Sequence, residues 1–179
     1  MYLALIIAFY LSYNWKKATI YVLTVIAIIA LADQTCAHVM RPFFERMRPC
    51  NPENPISDLI QLVNGHRTGG KYGFPSCHAA NSFALASSVA ILMKKKWLTL
   101  FLFIWAIINS YSRIYLGAHY PGDLIVGAIV GTLIGIIAGK LVRNTTLKLK
   151  SADLKFQKSY LIVIATGVLI ILYICLKSL

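Results

Sequence analysis

Apolar stretches that reach or approach the ~20 residues a helix needs to cross ~30 Å of hydrocarbon recur along this chain. They lie at roughly 18–38, 75–93, 97–111, 122–142 and 159–176. Hydrocarbon offers no water to solvate a backbone, so runs of this kind fold as helices that satisfy their own N–H and C=O groups. A further run, Tyr2 to Tyr13, is shorter. At ~1.5 Å per residue it covers about 18 Å, which suits a tilted or partial span or an interfacial helix. With 58% apolar and 13% charged residues, an ordinary soluble fold is excluded. The expectation is an all-α, polytopic membrane helical bundle of about six transmembrane helices, one integral-membrane domain over residues 1–179. Met1 leads straight into apolar sequence without a basic n-region or a small-residue cleavage site, so no cleavable signal is expected.

The 18 basic residues against 6 acidic ones would suit a nucleic-acid binder were they clustered on a soluble face. Most instead fall in short connections: Lys16 and Lys17, Lys94 to Lys96, and Lys140, Arg143, Lys148, Lys150, Lys155 and Lys158. The positive-inside rule places these in the cytoplasm and the opposite loops outside. No nucleic acid and no obligate protein partner is expected. The basic stretch Arg143 to Lys158 is expected to rest on anionic head groups of the bilayer. Gly127, Gly131, Gly135 and Gly139 recur every four residues, a stripe that lets a neighbouring helix backbone come close. Residues from about 41 to 74, rich in Pro, Asn and Gly, form a long loop of turns and short helices, including Asn64-Gly65 and Gly69-Gly70.

Three polar segments border the outer ends of these helices. Arg41 and Arg48-Pro49 lie seven residues apart, two helical turns, and would share a face if the preceding helix continues that far. Pro75-Ser76-Cys77-His78 enters the third of the six expected helices, where Pro suits a first helical turn whose N–H groups attract phosphate. Ser112-Arg113, five residues, His119, three residues and Asp123 join the next two spans. Arginine offers a planar fork for phosphate oxygens. A carboxylate at Asp123 can orient one His119 nitrogen and leave the other as a nucleophilic lone pair. Taken singly, each segment also fits a plain role: a snorkelling arginine, a helix start, a capped polar pair. Ionisable groups gathered at the edge of hydrocarbon favour function. The four cysteines show no metal-ligand spacing; Cys36 and Cys175 read as packing, and Cys50 and Cys77 as thiols rather than a disulfide pair.

Together the segments resemble the type 2 phosphatidic acid phosphatase superfamily, whose pattern is Lys-x6-Arg-Pro, Pro-Ser-Gly-His and Ser-Arg-x5-His-x3-Asp. Order and spacing agree, with Arg41 in place of lysine and Cys77 in place of glycine. The resemblance implies a lipid phosphatase working through a phosphohistidine, with no metal or other cofactor. It implies His119 as nucleophile, His78 as acid and base, Asp123 as the orienting carboxylate, and Arg41, Arg48, Ser76, Cys77 and Arg113 as phosphate binders. Arg67 and Lys71 are candidate head-group contacts, with a plain solvated loop as the alternative. The expected setting is a bacterial inner membrane with a periplasmic site. The expected substrate is a membrane lipid phosphate, foremost the 1-phosphate of lipid A, then phosphatidylglycerol phosphate or undecaprenyl pyrophosphate. A phosphotransferase using the same histidine is the rival class.

Overall fold

The helix richest in small residues lies at the centre of the bundle. A computed structural model describes residues 2–60, 70–146 and 159–177, side chains of 174–177 excepted. In it α4 (Cys77–Met93) packs against α2 (Trp15–Gln34), α5 (Lys96–Tyr115) and α6 (Pro121–Thr146). Ala79, Ala80, Ala84, Ala86, Ser88 and Val89 of α4 are fully buried. α1 (Tyr2–Ser12) seats Leu5, Ala8 and Phe9 on α2 and also meets α7 (Tyr160–Lys177).

Among the described residues six apolar helices form the bundle, in keeping with the hydropathy pattern. Three of them are long and apolar enough to cross a membrane: the continuous rod Trp15–Phe44, α5 and α6. The rod is α2 prolonged through a π-helical segment, Thr35–Met40, into a final turn, α3 (Arg41–Phe44). It therefore extends beyond the expected 18–38 at both ends. α1, at 11 residues, is too short to span by itself.

The glycine stripe does what its spacing implies. Gly127, Gly131, Gly135 and Gly139 of α6 are all buried, and a Cβ built on Gly131 would stand 2.0 Å from the Ala80 carbonyl oxygen. On Gly127 it would stand 2.4 Å from Ser76 O. Backbone therefore lies on backbone along the α4–α6 seam, and the same approach draws the starts of both helices together. Ser76 N–H donates to Asp123 O at 3.0 Å.

Helix direction sorts the charges by end. Lys16 and Lys17 open α2, Lys94 to Lys96 join α4 to α5, and Lys140 and Arg143 close α6. Cys77, Arg113 and Asp123 stand at the opposite ends of the same helices. Residues 61–69 and 147–158, including Asn64-Gly65, Gly69, Arg67 and most of the basic connector, lie outside the described residues.

The condition for Arg41 and Arg48 to share a helix face is not met, because α3 stops at Phe44. Glu45 turns into the left-handed region (φ 45°), and its N–H closes the last turn on Arg41 O at 3.0 Å. The chain then runs extended and pairs antiparallel with residues 71–73. Arg48 N–H donates to Lys71 O (3.0 Å), and Gly73 N–H donates to Arg46 O (2.9 Å).

Candidate active site

His119 is delivered by the way α5 ends. The Ala118 N–H returns to Arg113 O (3.0 Å) and the Gly117 N–H to Ile114 O (2.8 Å). This is a Schellman closure, which needs a left-handed residue after the cap. Gly117 supplies it at φ 64°. The turn places Arg113 on the last helical turn and sends His119 inward, where it is 2% exposed. Two residues later Pro121 starts α6, and the Asp123 carboxylate reaches back to the Tyr120 N–H (Oδ2, 2.9 Å). That is the return half of a capping box. Asp123 is 1% exposed and lies 3.5 Å from His119 Nδ1 through the same oxygen. At this separation Nδ1 faces the carboxylate without a well-directed hydrogen bond.

Arg48 fixes the imidazole from the other side. Its Nη1 donates to Ala118 O and to His119 Nε2, both at 3.3 Å. Guanidinium only donates, so Nε2 carries the lone pair and the ring proton sits on Nδ1, facing Asp123. The Arg48 backbone is tied down by Asn54, whose Nδ2 donates to Arg48 O and to the Tyr120 hydroxyl oxygen, both at 3.0 Å. Arg48 itself is buried, and its Nε has no protein acceptor among the described residues. Burial, with Arg41 nearby, lowers its pKa from the ordinary value, though arginine stays charged. Burial is likewise the largest influence on His119 and holds it below the usual histidine range. Asp123 pulls the other way, and Arg48 and Arg41 add to the depression. A neutral imidazole at neutral pH follows.

The remaining groups close round this pair. Arg41, on the last turn of the rod, donates through Nε to Pro75 O (3.4 Å). Arg113 donates through Nε to Ser112 Oγ (3.2 Å). His78, exposed on the first turn of α4, lies within electrostatic reach of Arg113, His119, Arg48 and Arg41.

This assembly matches known proteins in the same region. The PAP2 superfamily model matches residues 17–147, which hold all three polar segments. The chain belongs to the PAP2 superfamily. It is 48% identical to a lipid A 4'-phosphatase of Bacteroides thetaiotaomicron, over 84% of this chain and 67% of the relative. It is 37% identical to a lipid A 4'-phosphatase of Porphyromonas gingivalis, over 71% and 54%. It is 30% identical to an undecaprenyl-diphosphatase of Sulfolobus acidocaldarius, over 58% and 47%. The chain thus spans about half to two thirds of the length of these curated relatives. No solved structure matches it. With its family it is a phosphatase, a phosphoric monoester hydrolase carried on membrane helices and related to bacterial enzymes.

The PAP2 segments meet at one end of the bundle, with three adjustments. Ser76, not Pro75, caps α4: its Oγ accepts from Ala79 N–H at 3.4 Å, it is fully buried, and Pro75 precedes the helix. Cys77 is a buried thiol of the first turn, packed beside Cys36 and not bridged to Cys50. Lys71 is exposed and paired with Glu53, and Arg67 lies outside the described residues. Two site residues went unread in the sequence. Arg46 Nη1 donates to Asp123 Oδ1 at 3.0 Å. Gly73 is pressed against the site, since a Cβ there would stand 3.0 Å from Arg48 Cγ and 3.4 Å from His119 Nδ1. For Arg46 a cue existed: residues i and i+2 of an extended segment share a face, so it belongs beside Arg48.

Proposed function

We propose that this PAP2 chain removes a phosphate from a membrane lipid, foremost the 4'-phosphate of lipid A, by way of a phosphohistidine on His119. The observation that carries the reading is the buried Arg48 guanidinium, with Nε uncommitted, held against the lone pair of His119. A phosphate seated there satisfies the arginine and meets the nucleophile at once. The 4'-phosphate replaces the 1-phosphate expected from the motifs, because the two relatives named for lipid A act, by name, at the 4' position.

In the first step Arg48 turns from Nε2 to the phosphate oxygens, and Nε2 attacks phosphorus opposite the ester oxygen. The P–O ester bond breaks, and His78 gives its proton to the departing sugar oxygen. Asp123 stabilises the charge on the His119 ring. Water then attacks the phosphohistidine with His78 as base, releasing inorganic phosphate. Arg41, Arg48, Arg113 and the first-turn N–H groups of α4 hold the equatorial oxygens. Ser76 and Cys77 contribute by fixing that helix start. The arginines supply the charge that a metal supplies in other phosphotransfer sites.

A lipid substrate is supported by an apolar groove of about 550 Å³ between α5 and α7. Trp105, Ile108, Ile170 and Ile171 line it, and it ends at Ser112 and Arg113. An acyl chain fits the groove while its phosphate lies at the arginines. Purified protein should release phosphate from 4'-monophosphoryl lipid A faster than from the 1-phosphate isomer, phosphatidylglycerol phosphate or undecaprenyl pyrophosphate, and equally with EDTA present. Release from none of the four sinks the reading; preference for the 1-phosphate restores the motif-based expectation.

The lysine-bearing connectors support a site on the periplasmic face. A thiol added by Lys95→Cys should give labelling by a membrane-impermeant maleimide above that of the parent chain, with its own four cysteines, only after the inner membrane is opened. Labelling in intact cells with a permeable outer membrane reverses the orientation.

A further inference from the structure

Arg46 has no place in the three motif segments, yet it touches the one carboxylate that faces His119. Its Nη1 lies 3.0 Å from Asp123 Oδ1, while Oδ2 is taken by the Tyr120 N–H and faces Nδ1. The guanidinium is held over the Tyr120 ring at 4.2 Å and the Phe74 ring at 5.9 Å, an arrangement that a planar cation fills well. Residues 46 and 48 are fixed together by the same extended pairing with 71–73, so one strand of loop carries both the arginine on His119 and the arginine on Asp123.

We propose that Arg46 is a positioning residue of the phosphoryl-transfer site, acting on His119 through Asp123. This rests on the reading of His119 as nucleophile. An unpaired carboxylate beside a buried imidazole draws a proton onto it, which removes the lone pair needed for attack. Arg46 neutralises the far oxygen, so Asp123 orients the ring without holding it as imidazolium. The same balance keeps the phosphorylated ring a ready leaving group in the water step. The charged and titratable groups that bear on His119 are Asp123, Arg48, Arg41 and, across the pocket, His78. Among the described residues Arg46 is the cation that Asp123 itself binds.

Removing the Arg46 charge leaves the carboxylate in place, because Tyr120 N–H still holds Oδ2 and Asp123 remains inside α6. The field at His119 then becomes more negative, and its proton affinity rises. In the wild type the acid limb of kcat/KM, set by His119, should fall below the ordinary histidine value of about 6.5. In Arg46→Met it should move up by roughly half a unit to one unit, which lowers kcat/KM at neutral pH by no more than about threefold and the activity below the shifted limb by up to about 10-fold. Arg46→Lys keeps the charge and loses the ring stacking, so its limb should stay near wild type. The His119 ring titration, followed by NMR in detergent and assigned with His119→Ala, requires no turnover and should shift upward in Arg46→Met. A folded Arg46→Met whose His119 midpoint is unmoved overturns the proposal, whatever the activity assay gives. A shifted midpoint in a protein that releases phosphate from no lipid sinks the phosphatase reading instead and leaves the Arg46–Asp123–His119 coupling in place.

Discussion

Replacing His119 by alanine should stop phosphate release from a lipid phosphate, by roughly 10⁴- to 10⁶-fold, in a protein that still folds. The size of the loss follows from what the side chain supplies, since nothing else at the site presents a neutral ring nitrogen toward Arg48. Survival of the fold follows from its neighbours. Asp123 keeps Arg46 and the Tyr120 N–H, so it is not left as a bare buried charge, the costly outcome of removing an ion-pair partner. Arg48 keeps the Ala118 carbonyl. The expected stability loss is about 1–3 kcal/mol. His119→Gln fills more of the space and should be equally inactive, which separates lost chemistry from a collapsed pocket. Phosphate release and gel-filtration profile in detergent read the two effects apart. Turnover within 10-fold of wild type in either variant, from folded protein, rules out His119 as nucleophile.

How much of this was legible in the sequence depends on the range over which each feature is encoded. The α4–α6 seam was open to reading because the Gly127–Gly139 spacing is a property of one helix, and close approach is its only geometric use. The Arg113–His119–Asp123 spacing could be read because Leu116-Gly117 and Pro121 set a helix end and a helix start within one short segment. Whether Arg41 and Arg48 share a face stays open in the sequence, because a left-handed turn at Glu45, a residue with no special preference for it, interrupts the helix between them. Arg46 was missed for a different reason. Its partner lies 77 residues away, and the contact exists only after residues 46–48 pair with 71–73 and the starts of α4 and α6 are drawn together. The lipid's identity is more remote still, since the arginines would serve any phosphate of this charge. It was the relatives' names, not the motif, that moved the proposal from the 1- to the 4'-position.

The second large effect concerns the seam rather than the chemistry. Gly131→Leu should destabilise the bundle by about 3 kcal/mol or more, seen as lower yield and a lower melting midpoint in detergent. Ala80 O, C and Cα all lie within 2.9 Å of the position a Cβ would take. These are backbone atoms of a buried helix, so no rotamer change relieves the clash. The helices must separate instead, and the Ser76 N–H bond to Asp123 O that aligns their outer ends is lengthened. Graded substitutions test whether contact geometry, rather than helix propensity, sets the cost. Gly→Ala within a helix gains stability by propensity alone, so Gly139→Ala, whose Cβ would meet the Ile91 side chain at 3.3 Å and Ser88 Cα at an ordinary 3.6 Å, should be near neutral. Gly135→Ala meets Ala84 O at 2.6 Å and should destabilise without altering kcat in the folded fraction. Gly127→Ala presses on Ser76 O at 2.4 Å, at the residue that caps α4, and should lower stability and kcat together. If instead Gly131→Leu melts like the wild type while its activity is lost, the stripe serves the chemistry directly, and its reading as a packing surface is wrong.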